Sequence, residues 1–541
     1  MKYTYLLCPM IAGLFACSSN DDFLKEKLNG KIFPEYFYSN QDELDLANNA
    51  LYHDITQFYA ADYDGLLMLM GGDDITTPYF GNVDYIPYDI YLRPAGSPHI
   101  ETGWGAAYAA INVANGIINN YHKAAGTVDE QTLREYAGQA YFVRAYVYFW
   151  LVRFFNEIPY ITTARVMDKT ILKSSAEAVY DSIISDLKKA EEWLPYRWTD
   201  VKSLAGFTKG AVKATLASVY LTMAGYPLNK QEYYGLARDK AAELINNQSE
   251  YGYRLLDNFA DLWKPTPLTN DELVFGLFYN KAIQANARAP KSCRPVQFGG
   301  WELYCPEINF FKRFPEGKRK EATFVWEFPL ETGFYTDVPI LPWPESRPMV
   351  SWENMMFKHP YYFKMWEMEG LEGATKWVPL SESDWACSRT NQVIRYAEVL
   401  LIYAEAQAMA DGVPNALAYE CVNLVRNRAK VGLNNGVNPH VDDLQPGLSA
   451  TAFRDSVFVE RGWEFAGFEY ASRWFDLVRL ELVEDAAKEQ PEHTFLPGRS
   501  PEEWPVTNPP THESYFLPIP EADVLLNPNL KYNNNEWYEK M

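Results

Sequence analysis

Residues 391–430 read NQVIRYAEVL LIYAEAQAMA DGVPNALAYE CVNLVRNRAK, and the fold follows from this stretch. Ala397, Leu401, Ala404 and Ala408 recur at spacings of three and four, which places them on one face of a helix. Gly412 can take the left-handed conformation of a helix end, and Pro414 stands where a new helix can start. Ala418, Val422, Val425 and Ala429 then line a second helix. Two antiparallel helices in roughly 40 residues resemble one tetratricopeptide unit, which hides its apolar face only by stacking on further units. The fold class expected is all-α dominated: a tetratricopeptide-like helical-repeat scaffold, with long irregular aromatic-rich loops and an insertion elsewhere in the chain.

The stretch 41–250 continues as amphipathic helices broken by loops rich in Gly, Pro and aromatic residues. One helix is expected from Glu130 to Phe155, with Ala137, Tyr141, Ala145, Phe149 and Val152 on one face and Asn156 and Pro159 marking its end. Another, from Lys209 to Ala224, sets Ala211, Ala214, Ser218 and Leu221 together, small enough to let a neighbouring backbone approach. Between about 280 and 390 the helical period fades. This Pro-rich stretch holds Trp301, Trp326, Trp343, Trp352, Trp366, Trp377 and Trp385, a content that argues against disorder. A long ordered insertion without regular helix is usually functional or covers a face of the scaffold.

At the other end, Lys2, an apolar run from Tyr5 to Ala16 and then Cys17 form the layout of a bacterial lipoprotein signal. Leu14, Ala16 and Cys17 fit the lipobox, while Phe15 is bulkier than usual. Residues 1–16 are then a signal peptide, Cys17 is the lipidation site, and 17–40 is a polar leader. The apolar run is well short of the ~20 residues that a spanning helix needs. With 49 Lys plus Arg against 71 Asp plus Glu, the net charge is -22; such a surface repels phosphate backbones and argues against nucleic acid as a partner. Cys293, Cys305, Cys387 and Cys421 remain after the signal and Cys17, and in an exported protein they can oxidise. A Cys293–Cys305 bridge would contribute about 3 kcal/mol, with buried thiols as the alternative.

Paired carboxylates roughly 5–9.5 Å apart hydrolyse glycosidic bonds, which draws attention to Glu398 with Glu405 and to Glu460 with Glu464. Arg395, Arg426, Arg428, Arg461, Arg473 and Arg479 share their segments, so ion pairing between helices accounts for them. No His-Glu-x-x-His run, phosphate loop or Gly-x-Ser-x-Gly elbow is present, and the histidines are scattered singly. No catalytic residue, metal or cofactor is therefore expected; Asp73-Asp74 after Gly71-Gly72 could bind calcium or form a turn. The aromatic loops carry more. Between Pro78 and Pro94, Tyr79, Phe80, Tyr85, Tyr88 and Tyr91 alternate with Asn82, Asp84, Asp89 and Arg93. Sugars offer flat C–H faces rimmed by hydroxyls, which suit aromatic plates flanked by amides, carboxylates or guanidinium groups. The candidate ligand-binding residues are Tyr79, Asn82, Tyr85, Tyr88, Arg93, Trp301 and Trp343; the alternative is that these rings pack down on the scaffold.

Motifs along nearly the whole chain resemble the SusD/RagB family. They are Phe23-Leu24 after Cys17; Trp104 with Tyr108, Ile111 and Asn115; Tyr141-Phe142-Val143-Arg144-Ala145-Tyr146 leading to Ile158-Pro159; and Arg395-Tyr396-Ala397-Glu398-Val399-Leu400-Leu401. Tyr403-Ala404-Glu405-Ala406, Glu460-Arg461 with Glu464, Arg473-Trp474-Phe475-Asp476-Leu477 with Arg479, and Leu517-Pro518-Ile519-Pro520 with Asn527-Pro528 complete the set. Two departures are Tyr470-Ala471-Ser472 where the family commonly has Gly-x-Arg after Glu469, and Asn533-Asn534-Asn535 near the end. The resemblance implies a single domain over 41–541, with an N-terminal helical-repeat part (41–280), a loop-rich insertion (281–390) and a C-terminal part (391–541). It implies a non-catalytic, surface-exposed lipoprotein of the outer membrane that captures an oligosaccharide and delivers it to a TonB-dependent transporter of the SusC type. Ligand residues would lie in the loop before the Trp104 helix and in the middle insertion. Alternatives are a peptide-capturing, RagB-like component, a surface glycoside hydrolase, and a helical scaffold for protein assembly.

Overall fold

The computed structural model describes residues 37–60, 69–77, 85–164, 169–199, 205–264, 269–280, 282, 289–329, 348–355, 358–366, 377, 388, 390–430, 441–467, 469, 473–489 and 510–531. The expected signal peptide, Cys17 and the leader up to residue 36 lie outside them. Six helices build the N-terminal stack: α1 (Gln41–Ala60), α2 (Pro98–Asn120), α3 (Glu130–Phe155), α4 (Ala176–Trp193), α5 (Lys209–Ala224) and α6 (Tyr233–Asn246). Each packs on the next, as stacked hairpins require. Their starts are set locally: Asp129, Ser175 and Thr208 accept the N–H of Thr132, Ala178 and Ala211 at the heads of α3, α4 and α5, each cap contributing about 1 kcal/mol.

The hairpin of 391–430 forms α7 (Tyr396–Asp411) and α8 (Ala416–Ala429), with Gly412 in the left-handed region at φ 76° and Asn415 capping α8 through Ala418. One expectation is corrected at its start. Residues 390–395 are strand, because their backbone pairs with an earlier segment, and the helix begins only at Tyr396, whose N–H donates to the Glu272 carbonyl at 2.8 Å. α9 (Ala450–Glu464), α10 (Arg473–Arg479) and α11 (Val483–Glu489) follow. Helix α7 packs against α6 as well as α8 and α9. The stack is continuous in space, although Asn246 and Tyr396 are far apart in sequence. Helix α3 also departs from a one-sided pattern: every residue from Phe142 to Phe155 is buried, so α3 is a central core helix rather than a surface one. Its Arg144 is matched by Asp186 of α4 through two bonds of 2.7 Å.

Short antiparallel strand pairs organise the remainder: β1 (Ile75–Thr76) with β3 (Cys305–Pro306), β2 (Leu273–Phe278) with β8 (Thr390–Arg395), β4 (Phe324–Val325) with β7 (Tyr361–Tyr362), and β5 (Glu327–Pro329) with β6 (Met349–Ser351). The β2–β8 pair closes the neck through which the chain leaves the helical stack and returns to it. Cys293, Cys305 and Cys421 are buried as thiols rather than bridged, and Cys387 lies outside the described residues. No described helix is long and apolar enough to cross a membrane.

A buried ionic cluster fastens this neck. Arg395, the last residue of β8, donates to Glu272 at 2.7 Å, Glu464 at 2.8 Å and Glu469 at 2.7 Å. Arg428 of α8 bonds the same Glu272 and Glu464. From the insertion, Arg319 donates to Glu460 at 2.6 Å and Glu464 at 3.0 Å, and Lys364 to Glu469 at 2.6 Å. All eight side chains are buried, four cations against four carboxylates. Burial raises the Glu464 pKa, but Arg428, Arg395 and Arg319 outweigh it and hold the carboxyl at about 2.

Because that value lies below the ordinary 4.5, the stability Glu464 contributes is complete above pH 4.5 and is lost as pH falls towards 2. Glu464→Gln is expected to cost about 3–5 kcal/mol at neutral pH by leaving guanidinium groups uncompensated. Urea denaturation between pH 6 and pH 2.5 should show a shallower acid loss in the variant than in the parent.

Candidate functional site

The two aromatic-rich segments singled out in the sequence meet in space. Strand β1 pairs with β3, and Glu307 donates its N–H to the Asp74 carbonyl at 3.0 Å. The Tyr362 hydroxyl donates to the same carbonyl at 2.6 Å. Asp73 is bound by Arg473 at 2.7 Å and 3.1 Å and by Arg313, and Asp74 accepts the Gly467 N–H at 2.9 Å. Burial and the neighbouring Asp73 charge push the Asp74 carboxyl up to about 7. Asp73-Asp74 is thus an arginine-tied turn joining the loop at 70–77, the insertion and the C-terminal helices. No group of acids, histidines or cysteines among the described residues is arranged to hold a metal ion.

Three candidate ligand residues lie elsewhere than expected. Tyr85 and Tyr88 are fully buried, and Arg93 is 1% exposed. Tyr85 packs edge-on against Tyr304 at 5.8 Å, and the Tyr88 hydroxyl bonds Ser97. Arg93 donates to the carbonyls of Ser514 at 2.8 Å and Met70 at 2.7 Å, its guanidinium 4.3 Å from the Trp474 ring centroid. These residues join loops to one another and offer no face to a ligand, because the short helix Ile86–Asp89 turns them inward on to α2 and the insertion. Tyr79, Asn82 and Trp343 lie outside the described residues, Trp343 in the connection between β5 and β6.

Trp301 is the described candidate that keeps partial exposure. It sits on a tight loop whose backbone closes on itself: Trp301 donates to the Lys291 carbonyl at 2.7 Å, Glu302 to that of Arg294 at 3.1 Å, and Gly300 to that of Pro295 at 3.0 Å. The Lys291 ammonium stands 5.4 Å from the Trp301 ring centroid. Gly299 has φ 76°, and a methyl group at Gly300 would fall 1.9 Å from the Arg294 carbonyl oxygen. The pair Gly299-Gly300 directly before Trp301 is the sequence signal for this tight loop. Elsewhere in the insertion, Trp326 is half-buried, with its ring centroid 5.8 Å from that of Phe311. Trp352, Trp366 and Trp377 pack inward.

The carboxylate pairs that suggested hydrolysis are occupied. Glu405 accepts two bonds from Arg479, which also holds Asp476; Glu460 and Glu464 belong to the neck cluster. Glu398 is buried, and that burial pushes its carboxyl up to about 7 against the opposing charge of Arg461. None of the four opens to solvent.

Residues 374–537 match the family model described as the SusD family, and residues 89–221 match a second, described as starch-binding associating with outer membrane. Between them the two matches span more than half of the chain and take in the α7–α10 ion pairs and helices α2 to α4. The chain belongs to the SusD/RagB family. SusD-like protein P2 of Formosa agariphila is 28% identical over 98% of this chain and 99% of its own length. The crystal structure of a SusD homolog from Bacteroides thetaiotaomicron superposes with a TM-score of 0.74 at 23% identity, covering 92% of this chain and 97% of the other. A laminarin-binding SusD-like protein superposes with a TM-score of 0.68 at 20% identity, covering 91% and 98%. What the chain shares with these structures is the fold; Glu272, Arg319 and Lys364 of the clamp, like the Trp301 loop, lie between the two matched stretches.

Three substitutions separate packing from presentation. Tyr85→Ala is expected to cost about 3–5 kcal/mol, as truncation of a buried aromatic does, and Gly300→Ala about 1–3 kcal/mol through overpacking; chemical denaturation measures both. Glu398 acts in the opposite sense to Glu464. Its folded pKa lies above the ordinary 4.5, so stability falls as pH rises from 4.5 to 7, and Glu398→Gln should flatten that fall in thermal melts between pH 5 and pH 7.

Proposed function

We propose that this SusD/RagB protein is a non-catalytic lipoprotein of the outer-membrane surface that captures an oligosaccharide and hands it to a TonB-dependent transporter of the SusC type. The observation that carries the capture reading is the Trp301 loop. A tryptophan held partly exposed by a glycine-locked turn offers an aromatic plate that suits the flat face of a sugar, and the Lys291 ammonium beside its ring is itself buried. The loop before α2 adjoins this region through Tyr85 and Tyr304, and Tyr79, Asn82 and Trp343, outside the described residues, are proposed as further contacts. The name of the laminarin-binding relative supports a glycan as ligand. Acylation of Cys17 would tether the domain through the polar leader, with the transporter lying beneath it. Commitment of Glu405, Glu460 and Glu464 to arginines supports binding without hydrolysis.

Calorimetry of the mature protein against a panel of β-glucan, xyloglucan and starch oligosaccharides is expected to find at least one ligand whose affinity falls about tenfold or more in Trp301→Ala, a loss in line with ~1–3 kcal/mol for an aromatic stacking platform. Binding of peptides and of no glycan would move the ligand class to the RagB-like alternative. Release of reducing ends by the purified protein would overturn the non-catalytic assignment. Cys17→Ala is expected to move the protein from the membrane fraction to the soluble one.

A further inference from the structure

On another part of the molecule, the connection between α4 and α5 bends over β2 and leaves a cleft of about 280 Å³, near the lower end of small-molecule sites at roughly 300–1,000 Å³. Trp198, Phe207, Tyr253 and Phe275 line it and are buried. Tyr196 stands at the rim, 46% exposed, with its ring 5.3 Å from that of Tyr251. Arg197 is the next residue and also lines the cleft.

The charges here are unusual for so acidic a chain. Arg197 makes no hydrogen bond or ion pair among the described residues. Its guanidinium lies beside Gly252, where a Cβ would fall 2.2 Å from it, and the φ of 75° favours glycine at that position. Lys209, at the head of α5, places its ammonium 4.6 Å from the Tyr196 ring centroid and has no carboxylate partner among the described residues. The neighbouring cations differ. Lys213 and Lys240 are both tied to Glu191, at 2.9 Å and 3.0 Å. Two uncompensated cations at an aromatic cleft, in a protein of net charge -22, are a local complement to an anion.

We propose that this cleft is a second saccharide site, separate from the Trp301 region, which takes a sugar residue bearing a carboxylate or a sulfate. The exposed Tyr196 ring at the rim receives the C–H face of the sugar, above the buried aromatic floor. The guanidinium of Arg197 pairs with the anionic group, a planar fork against two oxygens, and Lys209 adds to the attraction. A neutral sugar would leave both charges without a partner.

Calorimetry on the mature protein tests this with a tetragalacturonate, its methyl ester and a sulfated galactan oligosaccharide. The acidic ligand of at least one source is expected to bind the parent and Trp301→Ala alike, and to weaken about tenfold or more in Arg197→Gln, the range of a charge-assisted hydrogen bond. Tyr196→Ala should weaken it as well, and added salt should do so progressively. Which source binds, uronate or sulfate, assigns the anion. Absence of binding by both acidic ligands, equal binding of the methyl ester, or indifference to both cleft variants would overturn the proposal, as would an acidic peptide competing for the cleft in their place. Loss of neutral-glycan binding in Trp301→Ala with no effect of Arg197→Gln on any ligand would sink this site and leave the capture reading standing. Both cleft residues are exposed, so unchanged melting temperatures serve as the folding control.

Discussion

The molecule depends on a cluster of opposite charges buried in its interior. Arg395 gathers Glu272, Glu464 and Glu469, while Arg428, Arg319 and Lys364 supply the remaining positive charge. The members come from separated pieces of chain: the edge of β2, the end of β8, the ends of α8 and α9, the segment just after α9, and two turns of the insertion. Hydrophobic packing holds helices together with little demand on register. A buried guanidinium, by contrast, tolerates few arrangements, because any lost partner leaves an uncompensated charge in a low-dielectric interior. The cluster therefore specifies where the insertion leaves the stack and where it re-enters.

That clamp explains how one chain combines a regular scaffold with an irregular region. Helices α1 to α6 and α7 to α9 form a single stack, and the insertion is looped out between two strands whose ends are locked. Arg319 and Lys364 carry the lock into the insertion itself, and Asp73 and Asp74 tie it to the loop before α2. The surface between these ties has no repeat geometry to obey. There a glycine-closed turn keeps Trp301 partly exposed at the margin of the core.

The same physics governs the carboxylates. A pair of acids acts on a glycosidic bond only if solvent and substrate reach both. In this protein the conspicuous glutamates of α7 and α9 face arginines inside the stack, and Glu398, without such a hydrogen bond, is pushed towards its neutral form by burial. Their role is cohesion between helices.

The helical scaffold was legible in the sequence, because helix periodicity, caps and breakers act over a few residues: the Gly412 helix end and the limits of α3 and α5 follow from local chemistry alone. So did the pairing of arginines with glutamates, since charges in core-facing helices must be matched. The strand at 390–395 was not legible, because its backbone partner is more than a hundred residues away. Nor was the inward turn of Tyr85, Tyr88 and Arg93. Alternating aromatic and polar residues describe a sugar-binding rim and a loop packed on a scaffold equally well, and only the position of α2 and the insertion decides which side is covered. Among the described residues Arg197 and Lys209 lack carboxylate partners, which likewise depends on the segments the fold sets beside them. The sequence by itself determined which residues seek burial or a counter-charge; the tertiary structure decided which of them found it, since that depends on segments brought together from across the chain.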